Sequence, residues 1–143
     1  MDIRPITETY AVSPQIAPED VAAIKAAGYT TVICNRPDGE VPPHLGSAAL
    51  RAAVEAAGLQ FVYNPFSHPN LTMELVERQG AAIAEAVGPV FAYCASGNRS
   101  SVLWALSQAG SRPTEELIGL PARFGYQLAG LRPQLDALAA RRG

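Results

Sequence analysis

The chain has 143 residues, 48% hydrophobic and 17% charged, with 11 basic and 13 acidic side chains for a net charge of −2. A chain of this size buries roughly 70% of its unfolded surface, so residues 1–143 are expected to form one soluble domain. The charge gives no basis for nucleic-acid binding, no apolar run approaches the ~20 residues of a membrane span, and the first residues lack a signal-peptide segment; these point to a cytoplasmic protein without nucleic-acid or membrane partners.

Tyr10-Ala11-Val12 reads as a short strand closed by Ser13-Pro14. Pro18-Glu19-Asp20 opens a helix, since proline suits the first turn and acids suit the positive end of the helix dipole. Val21 and Ile24 fall on helical spacing, and Gly28 reads as the stop. Thr30-Thr31-Val32-Ile33-Cys34 is β-branched and apolar, a buried strand. Asn35-Arg36-Pro37-Asp38-Gly39-Glu40 is turn chemistry. Ser47 is expected to cap a helix running to Gly58, and Gln60-Phe61-Val62-Tyr63 forms a third strand, stopped by Asn64-Pro65. Thr72 caps a longer helix to about Val87. Gly88-Pro89 then turns the chain into a fourth strand that ends at Cys94.

The alternation of strands and helices predicts an α/β fold with a four-stranded parallel sheet and right-handed crossovers. Beyond residue 99 the pattern is helical, over about 100–109, 113–123 and 132–141, with Pro121 ending or kinking the middle helix. In open parallel sheets, ligands bind outside the carboxyl ends of the strands. Three expected strands deliver polar or nucleophilic residues there: Cys34-Asn35-Arg36, Asn64-Pro65 and Cys94.

The densest chemistry lies in Tyr93-Cys94-Ala95-Ser96-Gly97-Asn98-Arg99-Ser100. A thiol ends a strand, a short loop follows, and a helix begins. Only a thiolate attacks, and three features favour one at Cys94. The N–H groups over Ala95, Ser96, Gly97, Asn98 and Arg99 can form an anion nest, the next helix directs its positive end there, and Arg99 adds a fork of donors. Gly97 permits a backbone conformation that a side chain would hinder, and Ser100 is placed to hydrogen-bond the sulfur. The competing reading of Cys94 is a packed core thiol.

Other residues carry weaker signals. Cys34 is either a small core residue or a resolving thiol for an oxidised or persulfidated Cys94. Asp38 is either a turn former or an acid, and Arg36 and Glu40 are rim candidates. His68 is a solvated loop residue or a general acid. With His44 the only other histidine, metal-ligand spacing is absent and neither metal nor cofactor is expected.

The cysteine loop resembles those of two families, the rhodaneses and the cysteine-dependent phosphatases. The phosphatase signature separates Cys and Arg by five residues; here four intervene, the rhodanese length. The wider chain is similar to the phosphatase-like domain of the beta-lactamase-hydrolase-like proteins. The similarity is carried by Ser13-Pro14-Gln15, Pro18-Glu19-Asp20, Asn35-Arg36-Pro37-Asp38-Gly39-Glu40, Asn64-Pro65, Cys94 to Ser100, Leu103-Trp104-Ala105-Leu106 and Gly125-Tyr126-Gln127-Leu128. It implies a three-layer protein-tyrosine-phosphatase-like fold with Cys94, Arg99 and Ser100 catalytic. In some relatives this domain is fused to a sulfur dioxygenase, which implies a functional link to a separate enzyme of that kind here. Relatives often carry Arg after the cysteine, where this chain has Ala95.

Phosphate-ester hydrolysis normally uses a general acid, worth about 10²–10⁴-fold. The segment Asn64-Pro65-Phe66-Ser67-His68-Pro69-Asn70 contains no carboxylic acid. A thiolate leaving a persulfide needs no such help. The short loop and the missing acid therefore lead to a rhodanese-like sulfurtransferase. In it Cys94 takes sulfur from thiosulfate or a low-molecular-weight persulfide and passes it to a thiol, in sulfide and persulfide metabolism. The alternatives are a phosphatase working through a phospho-cysteine and a non-catalytic persulfide- or anion-sensing module.

Overall fold

The computed structural model describes residues 1–67 and 69–142. Its strands are β1 (Arg4–Pro5), β2 (Tyr10–Ser13), β3 (Thr31–Cys34), β4 (Gln60–Tyr63) and β5 (Val90–Tyr93). Its α-helices are α1 (Val21–Ala26), α2 (Ser47–Ala56), α3 (Met73–Glu85), α4 (Asn98–Gln108), α5 (Thr114–Ala122) and α6 (Arg132–Arg142).

The sheet runs β1-β2-β5-β3-β4. The last four of these are parallel, as the sequence predicts. The fifth strand is a correction: β1 pairs antiparallel with β2, Arg4 opposite Val12. Two residues ending in proline carry no readable alternation, and only the pairing with β2 makes them a strand.

Period-2 alternation divides the sheet's side chains between two cores. Ala11, Val32, Cys34, Phe91 and Tyr93 share one face with Val21 and Ile24 of α1 and Leu50 and Val54 of α2. Val12, Ile33, Val90 and Ala92 face the other side, against α3, α4, α5 and α6. The result is three layers with β5 at the centre of the sheet. Trp104 of α4 is buried and stacks on Tyr10, ring centroids 6.1 Å apart. Helix α4 is buried continuously from Arg99 to Leu106, which is why its sequence shows no amphipathic stripe.

Several helix ends differ from expectation. Pro18–Asp20 is a 3-10 turn leading into α1. Ser47 does not cap α2; Gly46 holds that position. The Ser47 N–H and hydroxyl donate instead to the Asp38 carboxylate, at 2.7 and 2.8 Å. Thr72 does cap α3, its hydroxyl accepting from Leu75 N–H at 3.3 Å. Pro121 lies in the final turn of α5, and the helix stops one residue after it, at Ala122. Asp38–Glu40, Pro43–Leu45 and Ala129–Leu131 form short 3-10 turns. No helix among the described residues is long and apolar enough to cross a membrane.

Candidate active site

Strand β5 lies between β2 and β3, so its end is flanked by two other strand ends. Cys94 follows β5 directly and is fully buried, with its backbone N–H on Ser13 O. Asn35 N–H, just past β3, donates to Tyr93 O at 2.8 Å, and Asn64 N–H, just past β4, donates to Cys34 O at 2.9 Å. The carboxyl edge of the sheet is thereby stitched together beneath the loop.

The loop 95–98 orients its peptides consistently. Ala95 O accepts from Gln15 N–H, Ser96 O from the Tyr126 hydroxyl, and Gly97 O from both the N–H and the hydroxyl of Ser101. A trans peptide points its C=O and its N–H in opposite directions. Tying the Ala95 and Ser96 carbonyls to the surrounding scaffold therefore turns the N–H groups of residues 96 and 97 toward the loop's interior, while the Asn98 N–H is taken by Ser96 Oγ. Gly97 N–H accordingly donates to Cys94 Sγ at 3.1 Å. Gly97 itself sits at φ +95°, a region open to glycine and strained for other residues.

Arg99, at the start of α4, is 8% exposed. Its Nη1 donates to Phe66 O at 2.7 Å and to Glu40 Oε2 at 2.9 Å, and Nη2 donates to Glu40 Oε1 at 2.8 Å. These bonds use three of the five guanidinium donors. The Nε–H and the second Nη2–H have no partner among the described residues, and the guanidinium lies within electrostatic range of the Cys94 sulfur. Glu40 also accepts from Arg36 Nε at 3.2 Å, while Arg36 Nη1 reaches Gln15 Oε1 at 3.2 Å. Hydrogen bonds from Arg99 hold the Glu40 carboxyl below its ordinary range, against the opposing effect of desolvation. It is an anchor for two arginines and is poorly suited to donate a proton.

Ser100 lies beneath the loop but does not hydrogen-bond the sulfur as expected. Its hydroxyl donates to Asn35 Oδ1 at 2.9 Å. Asn35 belongs to a buried amide network: its Nδ2 donates to Asn64 O and to Gln79 Oε1, and Gln79 Nε2 returns to Asn35 Oδ1 and to the Tyr10 hydroxyl. Tyr10 in turn donates to Ser100 O at 2.8 Å. Sequence reading missed Gln79 and Tyr126 as support for the loop. The available signal for Gln79 was a polar residue on the Val76-Gln79-Ile83 side of a helix, where apolar packing would be expected.

The other candidates have partners of their own. Both carboxylate oxygens of Asp38 engage Ser47, and its backbone N–H donates to the Tyr63 hydroxyl at 2.9 Å. Cys34 lies on the α1–α2 face beside Tyr93, its thiol donating to Arg36 O at 3.3 Å; burial pushes its pKa up. Ala95 and Ser96 are exposed at the mouth, and Asn98 N–H donates to Ser96 Oγ. His68 lies outside the described residues. Among the described residues, no three His, Cys, Asp or Glu side chains gather as a metal site.

The sequence profile of the family described as "Beta-lactamase hydrolase-like protein, phosphatase-like domain" matches residues 2–111. A beta-lactamase hydrolase-like protein of Agrobacterium fabrum is 38% identical over 101 residues, covering 71% of this chain and 23% of that protein. The chain spans less than a third of the length of the curated relatives it matches. A solved structure from Neisseria meningitidis, assigned as a candidate phosphatase, is 33% identical; it superposes with a TM-score of 0.82 and covers 96% of this chain and 99% of its own. Tk-PTP in its active form shares the fold at 19% identity, with a TM-score of 0.70 and 97% of each chain covered. The three layers described above are thus the protein-tyrosine-phosphatase-like fold.

Proposed function

The chain belongs to the phosphatase-like domain family of the beta-lactamase hydrolase-like proteins, and from that premise and its cysteine loop we propose that it is a cysteine-dependent phosphatase. The observation that carries this reading is the loop itself. Cys94 Sγ accepts the Gly97 N–H, beside a guanidinium anchored by Glu40 and Phe66. Held in this way, the remaining Arg99 donors and the loop N–H groups match the oxygens of a bound phosphoryl group. Sγ attacks phosphorus, the ester P–O bond breaks, and the alcohol leaves with the bond's electron pair. Water then cleaves the phospho-cysteine to phosphate and restores the thiolate.

Among the described residues, no free carboxylic acid stands at the mouth to protonate the leaving oxygen. Asp38 is held by Ser47, and Glu40 is held by two arginines. A phosphatase built this way favours leaving groups that depart as anions, such as acidic phenols. The test is turnover across aryl phosphates of graded phenol acidity. Rates are expected to rise steeply with acidity and to vanish in Cys94→Ser. A flat series would mean that an acid acts, with His68 the first residue to replace.

The second reading is sulfur transfer. It is supported by the four-residue spacing from Cys94 to Arg99 and by the same lack of an acid. The matched family and the neighbours reported above are described as phosphatase-like, and they back the phosphoryl reading better. In the sulfur reading, Sγ attacks the outer sulfur of a persulfide, the S–S bond breaks, and a thiolate leaves without needing a proton. An acceptor thiolate then takes the sulfur from Cys94. Steady sulfur transfer between small thiols, with aryl phosphates left intact, would establish this reading over the first.

A further inference from the structure

We propose that Tyr126 is a positioning residue of the reaction. By holding the Ser96 carbonyl outward, its hydroxyl keeps the Gly97 N–H directed onto the Cys94 sulfur.

Of the three carbonyl ties that shape the loop, two include a backbone N–H donor that no side-chain substitution removes. Ala95 O is held by a backbone N–H, and Gly97 O by the first turn of its own helix. The Ser96 tie comes from a side chain 30 residues away, at 2.7 Å. Tyr126 follows α5 and is 6% exposed. Its hydroxyl is seated so closely on the loop that a Cβ built on Gly97 would lie 2.1 Å from it. No side chain fits at residue 97 while Tyr126 is in place.

The hydroxyl is itself oriented. Arg4 Nη1 donates to the phenol oxygen at 2.7 Å, and the guanidinium stands 5.6 Å from the ring centroid. Arg4 is paired with Asp2. Because Arg4 has only donors, the phenol oxygen accepts from it and directs its own proton to Ser96 O. The antiparallel strand β1 places Arg4 there, which gives that two-residue element a role beyond covering the sheet edge. Without the tie, the Ser96–Gly97 peptide can rotate, and the sulfur then faces a carbonyl oxygen in place of an N–H.

The inference rests on Cys94 being the nucleophile, and it is independent of which group Cys94 takes. The test is Tyr126→Phe, which keeps the ring and deletes the hydroxyl. The readout is the pH profile of Cys94 alkylation by iodoacetamide, followed by peptide mass mapping so that Cys34 is counted separately. Alkylation needs no substrate, so failure here is distinct from failure of the phosphatase reading. Loss of one hydrogen bond to a charged sulfur is expected to move the profile up by about one pH unit. Aryl-phosphate turnover is expected to fall by about tenfold in the same variant. Arg4→Met, which removes the clamp and leaves the hydroxyl, is expected to shift the profile in the same direction by less. An unmoved alkylation profile in a folded Tyr126→Phe protein would overturn the proposal, and so would a fall in melting temperature with profile and turnover unchanged.

Discussion

Replacing Gly97 by alanine tests how tightly the loop is specified. Two costs can be worked out separately. The backbone at φ +95° is a left-handed conformation that costs an L-residue about 1–2 kcal/mol. The new Cβ would also stand 2.1 Å from the Tyr126 hydroxyl. Restoring ordinary contact requires a separation of at least about 1.3 Å more, which breaks the bond to Ser96 O, worth about 0.5–1.5 kcal/mol. Together these give roughly 1.5–3.5 kcal/mol, a sizeable part of the ~5–15 kcal/mol of a typical domain. For a chain of this size that is a fall of roughly 5–15 °C in melting temperature. Turnover should fall about 10²–10³-fold as the loop donors turn away from the anion. The assays are thermal unfolding by circular dichroism and aryl-phosphate turnover, repeated in a Tyr126→Ala background. There the clash is gone, and Gly97→Ala should cost only its backbone share of about 1–2 kcal/mol. A Gly97→Ala protein with unchanged melting temperature and turnover would refute the packing argument. An equal cost in both backgrounds would remove Tyr126 from it.

Asp38→Ala should lower the melting temperature by roughly 2–6 °C, the worth of the carboxylate contacts that start α2, with turnover unchanged; a 10²–10⁴-fold loss of turnover would instead make Asp38 the general acid. The Glu40 pair predicts a pH dependence of stability. Its carboxyl is lower in the folded state because Arg99 donates to it. The contribution is therefore complete above the ordinary glutamate value of about 4.3 and disappears as pH falls through the lowered folded value. Wild type should be the more stable protein relative to Glu40→Gln at neutral pH, and the two melting curves should converge in acid. A constant difference across that range would mean the pair is not what Glu40 contributes.

Much of the scaffold was legible because its signals are local. The apolar runs at 31–34, 60–63 and 90–93, each bounded by Gly, Pro or Asn, identify parallel strands from short windows. Thr72 marks the start of α3 by cap chemistry. The sulfur, the loop and Arg99 were legible because a thiol, a glycine and an arginine at a strand-to-helix junction form one short pattern. What was not legible depends on distant pairs. Nothing near Arg4 or Tyr126 indicates that they meet, 122 residues apart, over the loop. Ser47 looked like a cap, but the carboxylate that satisfies the helix start is Asp38, nine residues earlier. Ser100 was assigned to the sulfur by adjacency. The structure gives its proton to Asn35, because β3 lies beside β5 and brings that amide beneath the helix.

The central claim is that Cys94 takes a group covalently from an anionic substrate. The most direct measurement is intact-mass spectrometry of the reduced protein, quenched in acid after brief exposure to an aryl phosphate and, separately, to glutathione persulfide. The account predicts an adduct of one phosphoryl group from the aryl phosphate, mapped to Cys94 and absent in Cys94→Ser. An adduct of one sulfur alone would move the chain to the sulfur-transfer reading. A folded, thiol-reactive protein that gains neither group, or an adduct that persists in Cys94→Ser, would contradict the account.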